Sequence, residues 1–151
     1  DTQDLTTKLG ECIECDVTGH DLAVCTLVDN VSSSNIFKYN NTTIQIVDGT
    51  YDNVKKDNMI ALKGFYHSGP GKIIVEKTKL SGRTFTEFAV ATYKSQDGDS
   101  GGLIFSPNTK RAVGIHIASG EIKVDGTFQK AGAFLPCSAI KWKYGTLPKN
   151  N

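Results

Sequence analysis

Gly98-Asp99-Ser100-Gly101-Gly102 places one serine hydroxyl on a sharp bend framed by glycines. A serine nucleophile needs its hydroxyl held clear of the surface, with backbone N–H groups aimed at the oxyanion that forms during acyl transfer. Gly98 can turn its N–H inward beside that of Ser100, and the two following glycines leave room for a substrate backbone. The alternative is a polar hairpin turn, since Asp-Gly and Gly-Gly pairs commonly mark turns. The stretch therefore predicts a nucleophile loop, with the N–H groups of Gly98 and Ser100 as its oxyanion hole.

The size and charge of the chain limit its partners. Its 151 residues suffice for one ordinary domain or for two very small barrels that share an interface. The formal net charge of +1 provides no broad field to attract nucleic acid or an anionic membrane. No stretch approaches membrane-spanning length, and the first residues lack the apolar run of a signal peptide, so we expect no membrane association. The lysine clusters fit solvated surfaces and leave RNA binding as an alternative; they are Lys55 with Lys56, and Lys141, Lys143 and Lys149.

The four cysteines, Cys12, Cys15, Cys25 and Cys137, could form two disulfides or contribute to a zinc site. Cys12 and Cys15 have the C-x-x-C spacing, but they lie in a predicted strand, where residues three apart point to opposite faces. No second C-x-x-C or C-x-H motif accompanies them. The sequence therefore predicts free thiols in a reducing compartment, no metal site and no cofactor.

Short β-branched and aromatic runs, separated by glycine, asparagine and aspartate, recur along the chain, whereas helical periodicity is weak. The pattern predicts an all-β chain with a short C-terminal helix at residues 137–142. The predicted strands are residues 11–17, 21–28, 42–47, 59–66, 72–79, 85–93, 102–105, 112–117, 121–124 and 127–135. A polar run at 48–58 indicates a linker, and we divide the chain into domains 1–52 and 53–151. The second domain has enough strands for a complete small barrel from Met59 onward, but the first supplies only about three and is predicted to be a partial barrel.

Two motifs resemble those of a known protease family. The loop at 98–102, followed by the apolar residues 103–105, resembles the nucleophile loop of chymotrypsin-like serine proteases. The segment that begins at Asp21, with Leu22, Ala23 and Val24 after it, resembles the strand that carries the triad aspartate of that family. In such a triad the carboxylate orients the imidazole and stabilises its protonated form. The resemblance implies the chymotrypsin-like fold of two β-barrels, with the first barrel incomplete, and a catalytic pair of Ser100 and Asp21.

A third motif narrows the class. The segment 114–120 resembles the glycine-x-histidine segment that lines the S1 pocket in the main proteases of picorna-like and other positive-strand RNA viruses. There the histidine donates a hydrogen bond to a P1 glutamine or glutamate, helped by a Ser or Thr five residues before the nucleophile; His116 and Ser95 hold these positions. The resemblance implies a viral endopeptidase that cuts a polyprotein after Gln or Glu in the host cytoplasm. Because picornavirus main proteases use cysteine, Ser100 places the chain nearer the serine variants of astro-, arteri- and sobemo-like viruses.

The general base is the open question. The family places its catalytic histidine well upstream of the triad aspartate, and no histidine precedes His20. We therefore expect the base to come from strands upstream of Asp1, in which case this chain alone has little peptidase activity. The alternative function is that of an inactive double-barrel fragment that acts as an RNA- or protein-binding module. A rival triad of His20, Asp48 and Ser100 keeps the base within the chain. That triad leaves Asp21 unexplained, and only 19 residues precede its histidine.

The other polar candidates have structural interpretations. His20 and Asp21 point to opposite faces of a strand, so His20 is predicted to lie on the surface when Asp21 faces inward. His67 occupies a glycine-proline turn and is predicted to be solvated. His116 lies on an apolar strand, where the alternative to a pocket role is a satisfied core histidine. Asp99 is predicted to cap its own turn.

Overall fold

A computed structural model of the chain describes residues 6–145. Within this range the chain forms ten strands and one helix, which confirms the all-β prediction with a short C-terminal helix. The elements are β1 (Gly10–Asp16), β2 (Leu22–Leu27), β3 (Ile36–Tyr39), β4 (Thr42–Gln45), β5 (Met59–Lys63), β6 (Ser68–Thr78), β7 (Phe88–Ala91), β8 (Leu103–Ser106), β9 (Arg111–Val124), β10 (Thr127–Pro136) and α1 (Cys137–Tyr144).

Strands β5 to β10 close into a barrel in the order β10-β7-β6-β5-β8-β9. All pairings are antiparallel, and β10 pairs with both β7 and β9, so the ring has no free edge. Side chains from all six strands fill the interior; the buried set includes Ile60, Leu62, Ile73, Ala89, Ala91, Tyr93, Ile104, Val113 and Phe134. The prediction of a complete barrel from Met59 onward is confirmed.

The chain before the barrel forms two separate two-stranded sheets, β1–β2 and β3–β4. Neither sheet closes within residues 6–47, so the predicted incompleteness of the first barrel is confirmed. The β3–β4 sheet packs on the barrel through Phe37 and Tyr39, whose ring centroids each lie 5.3 Å from that of Phe105. The polar segment 48–58 follows the barrel wall, where Tyr51 bridges to Ala112. The division at residues 52 and 53 stays a prediction.

The predicted strands miss β3 and split β9. β3 has only four residues and follows a polar run rich in serine, so its pattern is too short to stand out. The structure turns it back onto β4 through Asn40 and Asn41, with φ values of 48° and 62°. Such a two-residue turn matches the twist of the paired strands. Residues 112–117 and 121–124, predicted as two strands, form one strand because β10 pairs with β9 from Gly114 to Val124, across the gap between the two predicted strands.

A β-bulge in β1 changes which face its cysteines occupy. Cys12 lies opposite Cys25, but the register then shifts and Cys15 lies opposite Ala23. Paired residues share a face, as do residues two apart in one strand, so all three cysteines point to the same side. The prediction that Cys12 and Cys15 point to opposite faces is wrong, because the extra residue of the bulge resets the alternation. All four cysteines of the chain are free thiols, as predicted.

Helix α1 packs on the outside of the barrel. Ala139 and Ile140 are buried in one cluster with Phe88 and Leu135. The helix ends at Gly145, whose φ of 75° is favoured by glycine and lets its N–H bond back to the helix.

Candidate active site

The loop between β7 and β8 carries Ser100, which is exposed and lines a cavity of about 260 Å³. Two hydrogen bonds fasten this loop to β9: Gly101 N–H donates to the His116 carbonyl at 2.8 Å, and His116 N–H donates to the Gly102 carbonyl at 2.9 Å. Within the described residues, Ser100 Oγ makes one hydrogen bond, which it donates to the Ile117 carbonyl at 3.4 Å. Ser100 is therefore exposed on a loop that β9 holds in place, and its hydroxyl lies within hydrogen-bond distance of a β9 carbonyl.

Two backbone donors in this loop are uncommitted. Gly98 and Ser100 are exposed, and neither of their N–H groups donates a hydrogen bond to any residue in 6–145. The intervening amide, that of Asp99, donates to the Gln96 carbonyl at 3.0 Å. Gly98 has a φ of 98°, a conformation that residues with a side chain rarely adopt. These are the two N–H groups that the sequence assigns to an oxyanion, and both are available for that purpose.

The Asp99 carboxylate is fully buried beneath the same loop. Its Oδ1 accepts hydrogen bonds from the N–H groups of Tyr66 (2.6 Å) and His67 (3.0 Å). Its Oδ2 accepts from Gln96 N–H and lies near His67 Nδ1, both at 3.0 Å. Burial by itself raises the pKa of Asp99, but the hydrogen bonds from His67, Tyr66 and Gln96 outweigh burial and hold the pKa below its usual value. The bond from Gln96 confirms that Asp99 caps its turn, and the others tie the loop to the β5–β6 connection.

His67 is a hydrogen-bond partner of the nucleophile loop that the sequence did not predict. Its side chain is only 30% exposed, and its ring contacts a carboxylate 32 residues away in the chain. The prediction of a solvated loop histidine is wrong, because the turn that carries His67 folds over the buried Asp99. Nothing in the local glycine-proline pattern distinguishes this arrangement from an ordinary surface turn.

His116 is buried in β9, and its Nδ1 lies 2.8 Å from the Tyr93 hydroxyl. Burial raises the pKa of Tyr93 far above its usual value, so this phenol keeps its proton. Burial lowers the pKa of His116, although the charge of Asp99 opposes that effect. We assign a neutral imidazole that accepts a hydrogen bond from the Tyr93 hydroxyl at Nδ1 and carries its own proton on Nε2. The Nε2–H group is then a hydrogen-bond donor, 3.4 Å from Ser119 Oγ.

Ser95 reaches His116 through another serine. Ser95 Oγ lies 2.7 Å from Ser119 Oγ, which in turn faces the His116 ring. The sequence singled out Ser95 and His116 but neither Ser119 nor Tyr93. Both lie within three residues of a predicted site residue, yet polar and aromatic neighbours are too common for spacing alone to select them.

Substitution at Gly132 tests how tightly Tyr93 is held. A Cβ at Gly132 would lie 2.3 Å from the Tyr93 ring and 2.5 Å from its hydroxyl oxygen, whereas a Cβ at Gly120, in the paired strand β9, would meet nothing within 4 Å. Because Tyr93 is buried, we expect Gly132→Ala to lower the free energy of unfolding by about 1–3 kcal/mol. Gly120→Ala is the matched control, with an expected change within about 0.5 kcal/mol. Denaturant unfolding measures the stability of both variants. A loss from Gly132→Ala no larger than that from Gly120→Ala would show that the Tyr93 ring moves aside at no cost.

Comparison with known proteins agrees with this architecture. No protein-family model matches the chain, and no curated protein matches it. Among solved structures it is similar to a glutamic acid specific serine protease that uses a histidine triad in substrate binding, with 20% identity and a TM-score of 0.73 over 91% of this chain and 72% of that chain. Thermobifida fusca protease A has 15% identity and a TM-score of 0.74, over 94% of this chain and 75% of that one. Cellulomonas bogoriensis chymotrypsin has 17% identity and the same TM-score, over 94% and 76%.

The chain has the chymotrypsin-like serine protease fold. At identities this low, the likeness shows the fold and not the activity. The predicted two-barrel architecture with a short C-terminal helix is therefore confirmed, whereas the viral origin and the catalytic residues stay predictions.

Asp21 stands immediately before β2 of this chymotrypsin-like fold, with a φ of 57°. Its carboxylate accepts a hydrogen bond from the Arg83 guanidinium at 3.0 Å, and its side chain is 27% exposed. Leu22, the next residue, packs into the cluster that contains Ile117, the residue whose carbonyl accepts from the nucleophile loop. Asp21 therefore lies at the start of a strand, as predicted, but it is paired with a guanidinium. Its catalytic role stays a prediction.

His20 does not lie on the surface. Its side chain is 13% exposed, its ring stacks on Phe85 at 4.1 Å, and its Nδ1 lies 2.9 Å from Asp16 Oδ2. The prediction of a surface side chain is wrong because the residues before β2 form a turn, in which strand alternation does not apply. The ammonium group of Lys143, first, and then the hydrogen bonds from His20 keep the pKa of Asp16 far below its usual value.

The rival triad of His20, Asp48 and Ser100 stays a hypothesis. Ser100 lines the cavity of about 260 Å³. His20 lines a different cavity of about 890 Å³, beside α1. Asp48 lines a third, an apolar groove of about 580 Å³ between β2, α1 and the barrel. The members of the rival triad therefore line three different cavities.

Two further classes of site bear on the predicted partners. In residues 6–145 no helix is long and apolar enough to cross a membrane. Over the same residues, no group of three His, Cys, Asp or Glu side chains is arranged to hold a metal ion. Among the clustered lysines considered for RNA binding, Lys143 forms an ion pair with Asp16, with Nζ 2.7 Å from Oδ2. Lys149 lies outside the described residues.

Proposed function

We propose that the chain forms most of a serine endopeptidase in which Ser100 is the nucleophile. One observation carries the proposal: an exposed serine hydroxyl shares a loop, beside a cavity, with the two uncommitted N–H groups of Gly98 and Ser100. A hydroxyl and two convergent donors are what acyl transfer needs from a protein at the reacting carbonyl. The chymotrypsin-like fold supports this interpretation.

In the proposed reaction, Ser100 Oγ forms a bond to the carbonyl carbon of the substrate while its proton passes to a general base. The carbonyl oxygen becomes an oxyanion, which accepts hydrogen bonds from the N–H groups of Gly98 and Ser100. The C–N bond then breaks, and the amine leaves with the proton from the base. Water attacks the acyl-enzyme in the same way and releases the acid and the free serine. The proposal assigns no cofactor to these steps.

The general base requires a separate proposal. The described histidines bond other side chains, which are Asp16, Asp99 and Tyr93. We propose that the base is a histidine upstream of Asp1 and that Asp21 orients it. In support, the chain spans 72% of the length of the glutamic acid specific protease, which leaves room for such a segment in a longer protein.

The side chain before the cleaved bond is proposed to be Gln or Glu. Nε2–H of a neutral His116 is a donor that suits the oxygen of either side chain, and Ser119 and Ser95 add hydroxyl groups beside it. The likeness to a glutamic acid specific serine protease is consistent with such a pocket. That the substrate is a viral polyprotein, cut in the host cytoplasm, rests on the resemblance of the 114–120 segment alone.

The experiment compares this chain with a longer protein that includes its natural upstream residues. Each is incubated with a peptide library and with a fluorophosphonate probe. We expect the longer protein to cut after Gln or Glu and to be labelled on Ser100. Ser100→Ala should abolish labelling and lower kcat/KM by about 10⁴-fold or more. Ser81→Ala, at another exposed serine, is the control and should change neither.

Two outcomes would contradict the proposal. Cleavage by the chain alone that His20→Ala removes would refute the upstream base and favour the rival triad. A longer protein whose Ser100 resists the probe and cuts no peptide would refute the protease itself.

A second candidate is a non-catalytic module that binds RNA or protein. It is favoured by one observation, that no described histidine is bonded to Ser100. It predicts retention of RNA that weakens with salt, and no reaction of Ser100 with the probe. The net charge of +1 gives RNA little electrostatic attraction, so this candidate ranks second.

A further inference from the structure

The β1–β2 sheet presents three thiols on one exposed face, apart from the Ser100 cavity. Cys12 lies opposite Cys25, and the bulge brings Cys15 to the same side. All three residues are exposed, and the sulfur atoms of Cys12 and Cys15 are 3.1 Å apart. A disulfide bond is about 2.05 Å long, so the two sulfurs need only a small side-chain movement to reach bonding distance.

We propose that Cys12 and Cys15 form a reversible disulfide when the chain meets a peroxide. The two cysteines would form a modification site on the β1–β2 hairpin, whose turn precedes Asp21. This proposal does not rest on the proposed protease activity.

Cys12 lies next to both of the other exposed thiols. The hydrogen bond to Cys12 is the first cause that raises the pKa of Cys15; for Cys25, desolvation comes first and the contact with Cys12 adds to it. The thiolate is the form that peroxide oxidises, and the exposure of these thiols gives peroxide access to them.

The chemistry balances with hydrogen peroxide as the oxidant. The thiol of one of the two cysteines releases its proton, and the thiolate attacks one peroxide oxygen. The O–O bond breaks, that cysteine becomes a sulfenic acid, and the hydroxide that leaves takes up the released proton as water. The sulfur of the other cysteine then attacks the oxidised sulfur, the S–O bond breaks, and a second water leaves with the proton of the second thiol. Two thiols lose two electrons in total, and the peroxide is reduced to two molecules of water. A dithiol reductant reverses the change by exchange.

Two other fates for these thiols have less support. The described residues contain no group of three ligands arranged for a metal ion, which disfavours zinc. Cys137 is buried on the helix side of the barrel, and burial raises the pKa of its thiol to about 12, so it is not a partner for the exposed group.

The test treats the reduced, native chain with hydrogen peroxide and then alkylates the remaining thiols. We expect two of the three exposed thiols to become resistant to alkylation and to recover with dithiothreitol. Intact mass should fall by two hydrogen atoms, and non-reducing peptide mapping should find Cys12 joined to Cys15. Because these residues are exposed, Cys12→Ser and Cys15→Ser should fold normally and lose this product.

Cys25→Ser and Cys137→Ala are the controls, and both should keep the Cys12–Cys15 disulfide. The proposal is overturned if the three thiols stay alkylatable, if Cys25 or Cys137 replaces Cys15 in the main product, or if only disulfides between two chains form. A tight equimolar Zn²⁺ complex that needs all three thiols would overturn it as well.

Discussion

Asp99→Ala is expected to lower the free energy of unfolding by about 3–5 kcal/mol. The substitution removes the acceptor of four hydrogen bonds to a fully buried carboxylate, and hydrogen bonds to a charged group are the stronger kind. It also removes the hydrogen bonds that Tyr66 and His67 of the β5–β6 connection make to the nucleophile loop. Denaturant unfolding measures the loss, with the slope checked for two-state behaviour.

Asp97→Ala is the matched control for this loop. Asp97 lies two residues away and is exposed, so its replacement should change the free energy of unfolding by no more than about 0.5 kcal/mol. A loss from Asp99→Ala as small as that from Asp97→Ala would contradict the anchoring role of the buried carboxylate.

The same carboxylate predicts an acid limb in the stability curve. The pKa of Asp99 in the folded chain lies below its ordinary value of 3.8. Between those two values the unfolded chain binds more protons than the folded chain. The stabilisation by Asp99 is therefore complete above about pH 3.8 and is lost as the pH falls through the folded-state pKa. We expect Asp99→Ala to reduce the dependence of stability on pH over this range; an unchanged acid limb would contradict it.

Local sequence signals account for much of the fold. β-Branched runs and turn residues indicate the closed second barrel, and a strand count indicates that the first is incomplete. The bulge in β1 could not be predicted, because one extra residue leaves the strand pattern unchanged yet moves Cys15 to the other face. β3 could not be predicted for a different reason: its four residues are too few to show the alternation of apolar and polar residues that indicates a strand.

The candidate site likewise contains some residues that a local motif predicts and others that only the fold brings together. Ser100 and Gly98 follow from a contiguous motif whose chemistry is local. The contact between His67 and Asp99 spans 32 residues and joins two turns, each of which is ordinary when considered alone. The contact between His116 and Tyr93 likewise depends on strand pairing. His116 lies in β9 and Tyr93 follows β7, and the two meet because both strands pair with β10. Long-range pairs of this kind are set by topology.

Removal of the His116 side chain should affect both the core and the choice of substrate. His116→Leu leaves the buried Tyr93 hydroxyl without its partner, at a cost of about 1–3 kcal/mol in the free energy of unfolding. Tyr93→Phe leaves His116 Nδ1 without a donor and should cost a similar amount. In the double variant both partners are apolar, so its loss should be smaller than the sum of the two single losses. A coupling energy of about 0.5–3 kcal/mol is expected from the double-mutant cycle.

Substrate preference separates a structural role of His116 from the proposed role at P1. In the longer, active protein, His116→Leu should lower kcat/KM for a Gln peptide relative to a Leu peptide by about 10²-fold or more, because the donor to the P1 oxygen is gone. Tyr93→Phe should lower the same ratio by about 10-fold, since the imidazole stays but its Nε2 proton is no longer fixed by a donor at Nδ1. Strictly additive losses of stability would contradict the Tyr93–His116 bond. An unchanged Gln preference in His116→Leu, together with a destabilised core, would refute the P1 role and leave His116 as a satisfied core histidine.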